Sequence, residues 1–268
     1  HLPHAVALHT ATMQVASVIA PLFFALIVSV FGLKEAFLAT VVAAIFSAIL
    51  PIFIKKTGMA ENIQKSKSVA NEILEGWAFV RKHPILPSLY LMDIGVTIVS
   101  FYRQILPVLA DKLYNKGATA VGLLSGASSA GGIIGSMVVL GFAKYRPKGM
   151  LVLYATGVYA ILLMFFGIST SLWVGCFVIF FLGATDSIGM TTRQTIVQLT
   201  TPDNMRGRAV SFHSLSAMTA NNIGTLEVGF FSALIGADNT MVMGGIIGLI
   251  VVIAIYAFSK QLREYRYP

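Results

Sequence analysis

Residues 171–182, "SLWVGCFVIFFL", carry no charge, and runs of the same kind recur along the chain. A stretch of roughly 20 apolar residues at ~1.5 Å rise per residue matches a hydrocarbon core about 30 Å thick. Eight such stretches can be marked, at about 10–31, 36–54, 85–110, 119–143, 149–168, 172–198, 208–234 and 239–259. They are long, continuous and rich in Leu, Ile, Val, Ala and Gly, whereas a membrane β-barrel reads as short segments of alternating polarity. The 268 residues are 56% hydrophobic and 11% charged, with mean hydropathy +0.81, more apolar surface than a water-soluble fold of this length hides. The expected fold class is an all-α membrane protein with eight transmembrane helices.

The net charge of +8 would suit a nucleic-acid binder, but its placement argues against one. Lys55, Lys56, Lys65, Lys67, Arg81 and Lys82 lie in the second connection, and Lys144, Arg146 and Lys148 in the fourth. Arg206 and Arg208 lie in the sixth, and Lys260, Arg263 and Arg266 follow the last span. The opposite connections hold only Lys34, Lys112 and Lys116. By the positive-inside rule the richer side is cytoplasmic, and both chain ends fall there. The partners implied are a lipid bilayer and a small solute, and no nucleic acid. Cys176 is the only cysteine, which excludes an intramolecular disulfide. No catalytic triad, metal-ligand cluster or cofactor motif is visible, and "SAGGIIGS" is not followed by the Lys-Ser or Lys-Thr of a phosphate loop. An enzyme is therefore not expected. The chain begins with His1 and no cleavable signal precedes the first span, which reads as a fragment or a processed product.

Polar residues 55–84 separate two spans from six and give the expected division: 1–54, a cytoplasmic linker 55–84, and 85–268. Within the linker, Val69, Ile73, Trp77 and Val80 recur at helical spacing, with Ser68 placed to cap and Pro84 before the next start. An amphipathic helix on the membrane surface is predicted. The fourth span carries Gly126, Gly131, Gly132 and Gly135 with Ser125, Ser128 and Ser129. Small residues let helices approach closely in lipid, and either tight static packing or a sliding helix fits them.

Ionisable groups inside spans are costly and face partners or water. Asp186 and Arg193 are seven residues apart, on nearly one helix face and ~10 Å apart along the axis. They can share a hydrated pocket or each pair across to another helix, and Arg193 can also snorkel to the headgroups. Asp93, Thr97, Ser100 and Gln104 form one polar stripe suited to an aqueous path, with Phe101, Tyr102, Met190 and Gln194 as further cavity residues. Arg103 and Glu227 lie at similar depth, and either pair near an outer gate or sit singly at the interface. His213 is a structural histidine or a proton relay, and Asn221 and Asn222 are interhelical bonds or substrate contacts. A buried carboxylate alternately paired and protonated can couple protons to a change of access. Asp186 is the first choice for that role, with Arg193 as its partner and Asp93 and Glu227 behind it.

"DSIGMTTRQTIVQLTTPDNMRGRAVSFHSL" (185–215 region), with Arg193 five residues before Gln198 and then Thr-Pro-Asp-x-x-Arg-Gly-Arg, resembles the tenth and eleventh helices of the major facilitator superfamily. "EGWAFVRKHP" and "LPVLADKLY" resemble the central linker and the end of the seventh helix of its enterobactin-exporter-like branch of efflux permeases, and "GFAKYRPKG" resembles the second copy of the superfamily's cytoplasmic Gly-x-x-x-Asp-Arg-x-Gly-Arg loop. The resemblance implies a twelve-helix fold of which this chain carries helices five and six plus the complete C-terminal six-helix bundle, with the first four helices missing. It also implies a multi-pass protein of a bacterial inner membrane that exports a siderophore or drug-like molecule, with protons as the coupling partner. Lys144, Arg146, Arg206 and Arg208 would then be gating residues beside Arg103. The chain departs from the pattern at Tyr145, where the loop has an acid, and at Ala20-Pro21-Leu22-Phe23-Phe24, where the antiporter Gly-Pro-x-x-Gly keeps only its proline.

Overall fold

The computed structural model describes residues 16, 19–20, 23–24, 26–28, 30–53, 69–100, 102–114, 117–141 and 146–266, and at 69–73, 104, 112, 113, 117–119, 140, 203, 204 and 206 the backbone alone. Most of the first predicted span, with Pro21, lies outside the described residues, as do Phe101, Lys144, Tyr145 and linker residues 55–68. The described residues are helical throughout, with no strand among them. The chain divides into two units, residues 1–69 and 70–268.

The first unit holds helix α1 (Leu33–Ile49), continued by a 3-10 turn at Leu50–Phe53 around Pro51. Only Ala36 of α1 is buried, while Phe37, Val41, Ile45 and Phe46 are exposed. An apolar helix bare on all sides is suited to lipid, not water.

The second unit holds most of α2 (Val69–Lys82), then α3 (Leu86–Ser100), a 3-10 turn (Tyr102–Ile105) and α4 (Leu106–Tyr114). It continues with α5 (Gly117–Gly141), α6 (Lys148–Gly167), α7 (Leu172–Thr200), α8 (Asp203–Ile235), α9 (Ala237–Phe258) and a single turn at Lys260–Arg263. The third predicted span is thus not continuous. Pro107 lacks an N–H and its ring would strike the carbonyl four residues back, so the helix stops before it and restarts with Pro107 in a first turn, where no hydrogen bond is lost. At the far end, α7 stops at extended Thr201 because Pro202 follows. Gly236, at φ +91°, reverses the chain between α8 and α9 in one residue.

Five segments among the described residues are long and apolar enough to cross a membrane: Leu33–Phe53, Ala120–Val139, Lys148–Gly167, Leu172–Thr200 and Ala237–Phe258. Helix α3 is apolar but shorter, and α8 is long but carries His213, Asn221, Asn222 and Glu227. Their length and composition suit a helical membrane protein.

Two apolar clusters fill the second unit. One gathers Leu109, Leu124, Leu163, Phe166, Ile179, Leu182 and Met241, and the other Leu86, Leu89, Val152, Ile196, Val197, Val252 and Leu262. On α6, Thr156 and Tyr159 lie between the two clusters in sequence, and on α7 Asp186, Gly189 and Arg193 do. The polar groups therefore occupy a belt between two apolar floors.

The α5–α7 seam is built from missing side chains. A Cβ on Gly131 would fall on the carbonyl oxygen of Phe180, one on Gly135 on that of Ala184, and one on Gly183 on that of Ser128. Backbone meets backbone along this line, and dispersion gained at close approach replaces the hydrophobic driving force that lipid does not supply. Gly131→Val should lower unfolding stability by about 1–3 kcal/mol, as overpacking against backbone does. Gly126→Ala, which meets no atom within 4 Å, should leave a thermal melt in detergent unchanged.

His83 caps α3. Its Nδ1 accepts the backbone N–H of Ile85 at 3.2 Å and of Leu86 at 3.3 Å, which requires that nitrogen to be unprotonated. Burial holds its pKa below the ordinary 6.5, against the opposing effect of a hydrogen bond with the Thr200 backbone. Because the folded pKa is depressed, the cap's contribution is present above pH 6.5 and is lost as pH falls below it toward the folded value. Amide exchange at Ile85 and Leu86, corrected for intrinsic rate, should accelerate below that pH, and His83→Asn should flatten the dependence.

Candidate functional site

The belt encloses a cavity of about 430 Å³ lined from α3, the 3-10 turn, α6, α7 and α8. Asp93, Thr97 and Ser100 reach it from α3 because they share one helix face, as their spacing predicts. Tyr102, Met190, Gln194 and Asn221 line it as expected. Asn222 is exposed and is not in the lining, and Gln104 is described by its backbone alone.

Two ion pairs cross it. Arg193 Nη2 donates to Asp93 Oδ1 at 2.8 Å, with both side chains nearly buried, at 12% and 10% exposure. Gly189 lies beside the guanidinium, where a Cβ would meet Arg193 Nη1 in ordinary contact at 3.4 Å. His213 Nδ1 stands 4.0 Å from the other Asp93 oxygen, beyond hydrogen-bond length, and its ring lies 5.0 Å from that of Tyr90. Tyr90 in turn donates its hydroxyl to the Ala209 carbonyl, tying α3 to α8. The second pair, Arg103 Nη2 to Asp186 Oδ2 at 3.5 Å, is far more open, at 58% and 40% exposure.

These pairings correct two expectations. Asp186 does not partner Arg193, because each reaches across to the α3 segment, the second of the arrangements the spacing allowed. Arg103 does not meet Glu227. It sits in a 3-10 turn at about three residues per turn, which rotates it away from the direction a continuous helix would give and toward α7. Glu227 Oε2 is buried with no hydrogen-bond partner among the described residues. Arg193 Nε is likewise buried without an acceptor.

Arg208, expected at a gate, bonds Glu75 of α2 through Nη1 at 2.5 Å and approaches the sulfur of Met205 at 3.5 Å. Arg146 is exposed, and only the backbone of Arg206 is described. The polar lining residues missed in sequence are Thr156, Tyr159, Thr185 and Ser214. Thr156 and Tyr159, three apart in an otherwise apolar span, were the available signal. Tyr159 donates its hydroxyl to the Ser100 carbonyl at 3.2 Å, satisfying a group where α3 ends. Thr156 donates to Val152 within its own helix.

A helical bundle with charge-compensated polar walls inside apolar surroundings can admit a polar or amphipathic solute without leaving an isolated charge in low dielectric. The family model described as transmembrane secretion effector matches residues 1–266. The chain belongs to this family of the major facilitator superfamily. It is 23% identical over 266 residues to the enterobactin exporter EntS of Shigella boydii serotype 18, and equally to those of Escherichia coli O81 and O1:K1. Each alignment covers 99% of this chain and 63% of the relative, so the chain spans less than two thirds of the proteins it matches.

The two ion pairs should respond unequally. Asp93→Asn strands a buried guanidinium and should cost about 3–5 kcal/mol, whereas Asp186→Asn should cost at most about 1 kcal/mol. Adding Arg193→Gln to Asp93→Asn should recover part of the loss in detergent melts, because the orphaned charge is gone.

Proposed function

We propose that this chain is the transport-bearing part of a secondary active exporter of a small amphipathic molecule, driven by protons through alternating access. The observation that carries the reading is the ion-paired polar cavity between two apolar clusters, in a member of a secretion family whose relatives are named enterobactin exporters. By that likeness the cargo is a siderophore or drug-like compound, and the flanking Tyr102, Tyr159 and Met190 suit an apolar or aromatic portion of it. The same likeness supports eight spans within a twelve-helix fold. Residues 1–54 would supply two helices of an N-terminal bundle, 55–84 the linker and 85–268 the C-terminal bundle, with both ends of this chain cytoplasmic in a bacterial inner membrane.

Of the two cavity aspartates, Asp186 suits the coupling role. It is reachable from the cavity and held by one long bond to an exposed arginine, so it can gain a proton without stranding a buried cation. Asp93, pinned to Arg193, suits charge balance. Arg103 takes the partner role given to Arg193 from sequence. A uniporter or importer, and a membrane protein that binds without transport, are the competing readings.

In proteoliposomes of the complete protein, an imposed pH gradient should drive cargo movement that an uncoupler abolishes. Asp186→Asn should lose at least tenfold of the gradient-driven rate while keeping cargo exchange at equilibrium. Gradient-driven flux intact in Asp186→Asn defeats the assignment, flux indifferent to the uncoupler favours the uniporter, and no flux at all favours the binding protein.

A further inference from the structure

A second, smaller cavity of about 130 Å³ lies where α2 meets α3 and α8, far in character from the polar one. Trp77, Val80, Arg81, Tyr90, Leu91 and Phe212 are among its lining residues, and its surface is wholly apolar. It lies beside the contacts that hold α2 on the bundle, where Val80 joins the apolar cluster of Leu86 and Leu89. Glu75 bonds Arg208, and Gly76 brings its backbone against the Arg208 carbonyl, where a Cβ would stand at 3.1 Å. One turn on, the wider side chains keep the helices apart, with Trp77 and Phe212 ring centroids 5.5 Å apart and Phe212 and Tyr90 at 6.0 Å.

The rim carries charge of one sign. Arg81 and Lys82 close the last turn of α2, both exposed, while the acid of that helix nearest the groove, Glu75, is already bonded to Arg208. No acidic residue lines the groove. Trp77 and Leu91 face outward, at 48% and 62% exposure. An apolar slot, a tryptophan at its mouth and two exposed cations beside it make an amphipathic receptor. Water gains nothing from the apolar walls, and a soluble anion would leave them unfilled.

We propose that this groove binds a phospholipid with an anionic headgroup, one acyl chain lying against Tyr90, Leu91 and Phe212 and the phosphate on Arg81. The chemistry is that of basic residues at the end of an interfacial helix recognising anionic lipid, made specific by a cleft for the chain. The lipid would fasten α2 to the bundle on the side opposite its Glu75–Arg208 bond.

Trp77 reports on the site directly. In the complete protein, with Trp173 and any further tryptophan replaced by phenylalanine, Trp77 fluorescence is followed in nanodiscs containing acyl-brominated phosphatidylglycerol or acyl-brominated phosphatidylcholine in an unbrominated matrix. Half-maximal quenching is expected at a several-fold lower mole fraction of the glycerol lipid. Arg81→Gln should bring the two curves together, and Arg81→Lys should keep them apart. Coincident curves in the parent, or a preference unchanged in Arg81→Gln, overturn the proposal. So does an absence of quenching by either lipid, which would mean that another part of the protein covers the groove.

Discussion

The pair formed by Asp93 and Arg193 sets the organisation of the second unit. A carboxylate and a guanidinium at 2.8 Å, nearly shut off from solvent, bridge the cavity between α3 and α7. Neither could stay there alone, since an unpaired charge in such surroundings costs far more than the pair. His213, with its ring against Tyr90, closes the far side of the carboxylate. Arg103 is likewise brought to Asp186, and the same two segments make a second, wetter contact. One cavity thus has a rigid charged floor and a yielding charged mouth.

Much of this was written in the chain. Long apolar runs placed α5, α6, α7 and α9 close to their observed ends, because a helix of bilayer length needs about 20 apolar residues. The polar stripe on α3 was legible for the same reason a stripe always is: lipid forbids it without a use. Partner choice was harder. Spacing along one helix says which residues share a face, but a pair across two helices depends on their relative height. A clue was present nonetheless. Along the α3 segment the order is Asp93 then Arg103, and along α7 it is Asp186 then Arg193. Laid antiparallel, acid meets base twice.

The 3-10 turn at Tyr102–Ile105 was legible only in part. Pro107 and the adjacent Arg103 and Gln104 announce a disturbance, yet the apolar residues on either side favour one long helix where the backbone makes two. That break redirects Arg103, and with it the expected contact to Glu227 disappears. The role of Tyr159 was equally hidden, because its value lies in meeting a carbonyl that only a terminated helix exposes.

The glycine seam between α5 and α7 has a mechanical meaning. Carbonyls of one helix sit in the empty Cβ positions of the other at three places, so a shift of one residue would drive Ile134 or Ser136 into backbone. Helices joined in this manner behave as a single beam. Any bending of the bundle must then be taken up where contact is made by deformable side chains and interrupted backbone, around the 3-10 turn at Tyr102–Ile105 and along α8, and the strain of such bending is delivered to the mouth of the cavity instead of its floor.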